Sequence, residues 1–458
     1  MANILAKQDQ SVLRNEIPKV WRIAWPLILT NLLNVTVGIV DLKMVGTLGF
    51  ESIAAVGMSR QVTMFIMVLM IAISGGSSVM VARAYGSGDQ SKITVIASRA
   101  IFYMLVSALI IVTPAGLFLS RAILNALGGS DEVVRIGTSY LKILFAGSVV
   151  TMFNFAVSAV LLGVGKTRVS LVLLLGVNVL NIGLNYTFIF GLGPIPAYGV
   201  DGAAIGTVAA RALGALAGVW VLMSPKFQIR ANVKDGFAID LPLLKKILYL
   251  GGPRSLQGIV RNFSALMTIR IVTLLPGATR AVSAYSVGRQ VRMISSFVGL
   301  AFMSAAMARV GQNMGAKDTE SAEKSGWIAS GMAAFIMAVI AAAFFLIPET
   351  IMGFFTKDPG VIDMGRAFFM IIAVAEPVLA VGFSLSGALR GGGESIPPFI
   401  YSSISDLVVV IAAGYLFAIV FHMGLAGIAL GMALSAVTRA IPTLLRFRLG
   451  KWKTKKLL

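Results

Sequence analysis

About twelve times along the chain, an apolar run of roughly 20 residues is followed by a short polar or glycine-rich stretch. The runs centre near residues 32, 70, 108, 148, 179, 212, 262, 297, 336, 374, 408 and 435. A helix of that length crosses the hydrocarbon of a bilayer. The runs are too long for the roughly ten-residue strands of a transmembrane barrel. Composition removes the soluble alternative: apolar residues make up 57% of the chain and charged residues 13%, about half the charge of an ordinary soluble domain. A soluble fold would lack the polar groups its exterior needs. Disorder, a soluble enzyme and a secreted disulfide scaffold are excluded on the same ground. The expected fold class is an all-α polytopic membrane protein with twelve transmembrane helices. Small residues inside the runs, as in Gly147–Thr151, suit close helix contact in lipid.

The remaining charge is one-sided, with 39 Lys and Arg against 19 Asp and Glu, a formal net charge of +20. In a soluble chain that excess would suggest nucleic acid. Here the basic residues sit between apolar runs, where they set topology or meet anionic headgroups, so no nucleic-acid partner is expected. Lys7, Arg14, Lys19 and Arg22 precede the first run. Lys226, Arg230, Lys234, Lys245 and Lys246 follow the sixth, and Arg446 to Lys456 form a basic tail. The opposite loops hold little beyond Lys43, Arg121, Arg135, Arg280 and Lys357. By the positive-inside rule both termini are expected in the cytoplasm, with the chain in the inner membrane. The opening residues carry no cleavable-looking apolar core, so the first run reads as a retained span. Cysteine is absent and His422 is the single histidine, so neither a metal centre nor another cofactor is expected.

Self-comparison reveals an internal repeat. Arg60-Gln61-Val62 recurs as Arg289-Gln290-Val291, and Gly199-Val-Asp-Gly202 as Gly424-Leu-Ala-Gly427. Gly165-Lys166-Thr167 matches Gly393-Glu394-Ser395 in pattern, and Pro26 pairs with Pro253. The offsets keep one register, which implies two homologous halves of about six spans. We expect two pseudo-symmetric six-helix bundles: a lobe over 1–223, a cytoplasmic linker over 224–241 and a second lobe over 242–458. Repeats with an even number of spans share one orientation and place a pseudo-two-fold axis along the membrane normal. Such symmetry favours a carrier working by alternating access, and a channel stays open as a reading.

Several stretches carry a resemblance. Trp25-Pro26 opens the first span, Val40-Asp41 lies near its end, and Ala82-Arg83-x-x-Gly86-x-Gly88-Asp89 follows the second. Asn181-x-x-x-Asn185, Gly199-Val-x-Gly202-Ala203-Ala204-x-x-Thr207 and Gly387-Ala388-Leu389-Arg390-Gly391-x-Gly393-Glu394-Ser395 follow in order. Together these resemble the multidrug and toxic compound extrusion (MATE) transporters over essentially the whole chain. The resemblance implies secondary antiport, exporting organic and mainly cationic, amphipathic compounds against protons, the preferred coupling ion, or sodium. The implied partners are small organic substrates and membrane lipid, with the monomer as the working unit.

The polar residues inside the spans are the candidate sites. Asn31, Asn34, Gly38 and Asp41 recur at helical spacing, which makes one face of the first span polar inside lipid. Burial disfavours the charged carboxylate, so Asp41 is suited to load and release a proton. Beside Lys43 it could equally be an interfacial charge. The resemblance places the coupling acid at this position. Asn178, Asn181 and Asn185 repeat the pattern on the fifth span, either as cavity groups or as bonds to neighbouring helices. Where many members carry Asp, this chain has the neutral Asn185, and Thr207 matches a further polar position of that cavity. The cation-coupling set is therefore Asp41, Asn181, Asn185 and Thr207, with Asn34, Asn154, Asn178, Arg261 and Glu376 as further substrate-cavity candidates.

The second half departs from the pattern. No carboxylate lies between Leu250 and Leu275, Arg270 aligns with Asp41, and Leu379 stands where NorM-type members carry an acid. These absences point towards the DinF-type branch. Glu376 either faces a cavity or caps a helix broken at Pro377, and Asp406 is a possible ion-pair partner of Arg261. Met293, Met303 and Met307 read as adaptable packing or as a malleable drug cleft. The alternative function is a lipid-linked oligosaccharide flippase, suggested by Arg254, Arg261, Arg270, Arg289 and Arg292. A membrane enzyme is not expected, since no nucleophile–base set or metal cluster is present.

Overall fold

The computed structural model describes residues 2–224 and 240–455. Most of the expected linker, including Lys226, Arg230 and Lys234, lies outside the described residues. In the first half the helices are α1 (Ala2–Gly46), α2 (Phe50–Gly86), α3 (Gln90–Ala126), α4 (Asp131–Ala146), α5 (Ser148–Gly163), α6 (Thr167–Phe190) and α7 (Gly199–Met223). In the second they are α8 (Leu241–Val272), α9 (Ala278–Gly315), α10 (Thr319–Leu346), the short α11 (Pro348–Gly353), α12 (Pro359–Gly391), α13 (Ile396–Val420) and α14 (Gly424–Arg448). The described residues contain no strand beyond one isolated bridge between Leu192 and Ile195.

The twelve apolar runs map onto these helices one by one. Ten helices are long and apolar enough to cross a membrane. The eleventh span is α4 with α5, bent by 52°. The break falls at Gly147, where any Cβ would meet Val208 at 2.5 Å. Thr113 donates through Oγ1 to the Phe145 carbonyl at 3.2 Å and satisfies a backbone group near the bend. The twelfth, α8, carries Lys245, Lys246, Arg254, Arg261 and Arg270, which makes it less apolar than the rest. Large apolar side chains face outwards, among them Phe118, Phe335 and Leu346, as a lipid-facing surface requires.

Two compact units emerge, and each breaks inside a helix. The amino-terminal unit runs from Leu29 to Gly252, and the carboxyl-terminal unit joins residues up to Ile28 with those from Pro253 onward. The divisions lie next to Pro26 and Pro253, each inside its helix and each lacking the backbone N–H that would bond one turn back. The start of α1 thus packs in the carboxyl-terminal unit, and the start of α8 in the amino-terminal one. Asp240 caps α8, accepting from the Leu243 amide at 2.9 Å. It is also held to α3 by an ion pair with Arg99 and by Tyr103, whose hydroxyl donates to the Asp240 carbonyl at 2.9 Å.

Close helix approach builds both units. On α7, a Cβ at Gly202 would lie 2.2 Å from the Phe188 carbonyl oxygen, and one at Gly206 would lie 2.3 Å from Oδ1 of Asn185. The repeat-related glycines of α14 do the same against α13, with Gly427 facing Ala418 and Gly431 facing Gly414. The glycine motif shared by the two halves is therefore a packing device. Val45, Val56, Ile189, Val200 and Ala203 close an apolar cluster where α1, α2, α6 and α7 meet, beside the polar residues described next.

Candidate functional site

Asp41 sits one turn before the end of α1 and faces a cavity of about 180 Å³ within the amino-terminal unit. Asn34, Gly38, Asn178, Asn181 and Thr207 line the same cavity, so the polar face of the first span and that of the fifth converge. A chain of hydrogen bonds joins them. Asn185 donates through Nδ2 to Asp41 Oδ1 at 2.8 Å, and Asn181 donates to Asn185 Oδ1 at 3.3 Å and to Thr207 Oγ1 at 3.1 Å. Asn185 is fully buried. Its amide has one donor turned to the carboxylate and its oxygen occupied, which fixes its orientation. Asn178 has a buried amide nitrogen with no partner among the described residues, at the wall of the cavity.

Two cavity residues were not singled out from the sequence. Arg60 of α2 and Arg211 of α7 both line the cavity, and the charge of each acts on Asp41. Arg60 donates to the Gly38 carbonyl at 3.3 Å, and Arg211 donates to Thr151 Oγ1 at 3.1 Å. Arg60 belongs to a repeated tripeptide and Arg211 lies four residues after Thr207, so both had a sequence signal. The cavity therefore holds one carboxylate and two guanidinium groups.

The remaining candidates lie elsewhere. Asn154 donates to the Val150 and Arg211 carbonyls at 3.1 and 2.8 Å, so it braces α5 against α7 and is not among the cavity-lining residues. Glu376 belongs to the carboxyl-terminal unit and is fully buried. It accepts from Arg292 Nε and from Ser295 Oγ, each at 2.7 Å, which uses both carboxylate oxygens. It neither faces an open cavity nor caps a broken helix. Arg261 is exposed on α8. The expected Arg261–Asp406 pair does not form: Asp406 pairs with Arg439 of α14, a residue whose position in sequence gave no hint of the contact. Met303 and Met307 are buried in the carboxyl-terminal unit, where they pack among its core residues.

Comparison with known proteins fits this architecture. The family model described as MatE matches residues 26–187 and again 253–416. Its two matches begin at Pro26 and Pro253, the proline pair of the internal repeat. Across the full length, the chain is 29% identical to "Probable multidrug resistance protein NorM" of Thermotoga maritima, covering 100% of this chain and 97% of that protein. Among solved structures, one described as "Crystal structure of MATE in the straight conformation" superposes with a TM-score of 0.88 at 22% identity, covering 97% of this chain and 98% of that one. The bent form of the Vibrio cholerae MATE transporter VcmN reaches a TM-score of 0.88 at 18% identity, covering 96% and 98%. The NorM name lends no support to the expected placement nearer the DinF-type branch.

Proposed function

The chain belongs to the MatE family, and on that premise we propose that it is a multidrug efflux antiporter with Asp41 as its coupling carboxylate. It exports organic, chiefly cationic and amphipathic compounds by alternating access. It does so as a monomer in the inner membrane, with both termini in the cytoplasm. The observation that carries this reading is the hydrogen-bonded Asp41 at the wall of a polar cavity inside the spans. Charged groups at that depth are costly and are retained where they work.

Ionised Asp41 offsets part of the charge of Arg60 and Arg211 and tolerates an organic cation nearby. Protonation removes the one negative charge, leaves the two guanidinium groups unopposed, and so repels that cation. It also removes the attraction that holds α1 towards α2 and α7, freeing the first span to bend near Gly38 or Pro26. Proton and drug thereby compete for one electrostatic environment. A proton suits these surroundings better than sodium. Asn185 presents a donor to Asp41, not an oxygen, and a sodium ion needs several oxygen ligands. The flippase reading has no support among the relatives found.

The test is reconstitution into vesicles with pH and sodium gradients imposed separately, following efflux of an organic cation. Proton-driven efflux that is lost in a folded Asp41→Asn variant is the expected result. Drive by neither gradient would remove antiport, and full proton-driven efflux by Asp41→Asn would remove Asp41 from the coupling.

A further inference from the structure

The carboxyl-terminal unit contains a charge imbalance that the coupling at Asp41 does not use. Arg254 and Arg261 lie on α8, Arg390 on α12 and Arg439 on α14, each within a helix expected to span the membrane. Their charges act on one another: Arg254 on Arg390 and with Arg261, and Arg439 on both Arg261 and Arg390. Among the described residues one carboxylate, Asp406, lies within this group; it pairs with Arg439, and its charge also acts on Arg261. Arg390 is buried and has neutral partners, Gln257 Oε1 at 2.6 Å and Met303 Sδ at 3.4 Å. Arg254 and Arg261 make no hydrogen bond or ion pair among the described residues. A guanidinium group in a membrane interior normally faces a wet cavity or a counter-ion, and here the counter-ions are too few.

The details suggest a built site. Arg254, Gln257, Arg261 and Ser264 follow one another at spacings of three and four and so share one face of α8. Ser264 donates to the backbone carbonyl of Asp406, which sits in a π-helical turn of α13 (Ile404–Val409). Such turns widen a helix and recur at functional positions. The Nε atoms of Arg390 and Arg439 are buried without an acceptor among the described residues. Arg439 is further steadied by the Phe383 ring, 5.3 Å from its guanidinium carbon. Arg261 is exposed and Arg254 half-buried, so a ligand has access to the unpartnered pair.

We propose that Arg254, Arg261, Arg390 and Arg439 form a site for the oxyanion headgroup of an amphiphile, a phosphate, sulfonate or carboxylate. Guanidinium groups match such headgroups with paired N–H donors. Gln257 holds Arg390 in place, and Asp406 orients Arg439 while leaving its Nε free. The site stands apart from the efflux reading at Asp41, and the two are tested separately.

The experiment uses the full-length protein in non-ionic detergent with dodecyl phosphate as probe and dodecyltrimethylammonium as the chain-matched control, measured by titration calorimetry. The expected result is saturable binding of dodecyl phosphate that weakens roughly tenfold or more in Arg254→Gln and in Arg261→Gln. Asp41→Asn should leave that binding unchanged. Neither Arg254 nor Arg261 has a hydrogen bond or close ion pair to lose among the described residues, so both variants should fold, checked by an unchanged thermal midpoint. Native mass spectrometry after incubation with phosphatidylglycerol separates the sources. Retained lipid that blocks the probe assigns the site to a headgroup; probe binding that the lipid does not block assigns it to a soluble anion. No saturable binding, binding of the ammonium control at equal strength, or undiminished binding by the Arg254→Gln, Arg261→Gln double variant would overturn the proposal.

Discussion

Asp41 is held by a donor whose own oxygen is held in turn, so the orientation of Asn185 is inherited from Asn181 and Thr207. Hydrogen bonds to a charged group are worth about 1.5–3 kcal/mol each. Replacing Asn185 by Leu removes the donor and breaks the chain, and we expect proton-driven efflux in reconstituted vesicles to fall roughly tenfold at unchanged expression. An unaltered rate would mean that the amide only fills space. Asp41, Asn181 and Asn185 were legible because an acid and amides at helical spacing inside apolar runs demand an explanation, whereas Thr207 entered only through the family resemblance. Arg60 and Arg211 carried weaker signals, a repeated tripeptide and a place one turn after Thr207, and neither signal announces a neighbour on α1. Glu376 looked available for a similar reason: nothing near it in sequence announces Arg292, 84 positions earlier.

At the scale of elements, the glycine-rich openings of α7 and α14 were legible as a repeat before their purpose was. Their purpose is contact distance, and it reaches the site through Gly206, which lies against Asn185. Gly206→Val would push α7 off α6. Overpacking of this kind costs about 1–3 kcal/mol, and here it displaces the donor to Asp41. A lowered thermal midpoint together with lost coupling is expected. A lowered midpoint with normal coupling would separate the packing role from the site. Helix starts offer a second test. Asp89 caps α3 and Asp358 caps α12. The Lys92 amide holds the Asp89 carboxyl below the usual carboxylate range, and the Val361 amide does the same for Asp358. A lowered value means that the stabilisation is complete above the ordinary carboxylate range near pH 4 and is lost as pH falls through the lowered values. Hydrogen exchange at the first-turn amides of α3 and α12 should therefore change little between pH 7 and 5 once corrected for intrinsic rates, and lose protection only in stronger acid. Loss of protection already at pH 6 would exclude these caps as the cause.

For the whole molecule, twelve spans could be counted from apolar length alone, because lipid leaves a crossing chain few other options. The boundary between compact units could not, since it falls inside α1 and α8, where hydropathy does not change. What ties the beginning of α1 into the carboxyl-terminal unit is a buried charge cluster. Glu16 accepts from Arg309 Nη2 at 2.7 Å, from Ser325 Oγ at 2.7 Å and from Lys19 Nζ at 2.8 Å. Arg309 extends the network to Gln312 Oε1 at 2.6 Å. Glu16 and Arg309 lie 293 positions apart, so no sequence pattern joins them. Removing one partner of a buried ion pair strands the other, at a cost of about 3–5 kcal/mol. Glu16→Ala should therefore lower the thermal midpoint in detergent markedly. Removing both charges together with apolar side chains, Glu16→Leu with Arg309→Met, should recover most of that loss, because an apolar pair avoids the desolvation that the ion pair had to offset. If the double variant were as unstable as Glu16→Ala, the stranded charge would not be the cause, and the hydrogen bond to Ser325 would have to carry the attachment of α1.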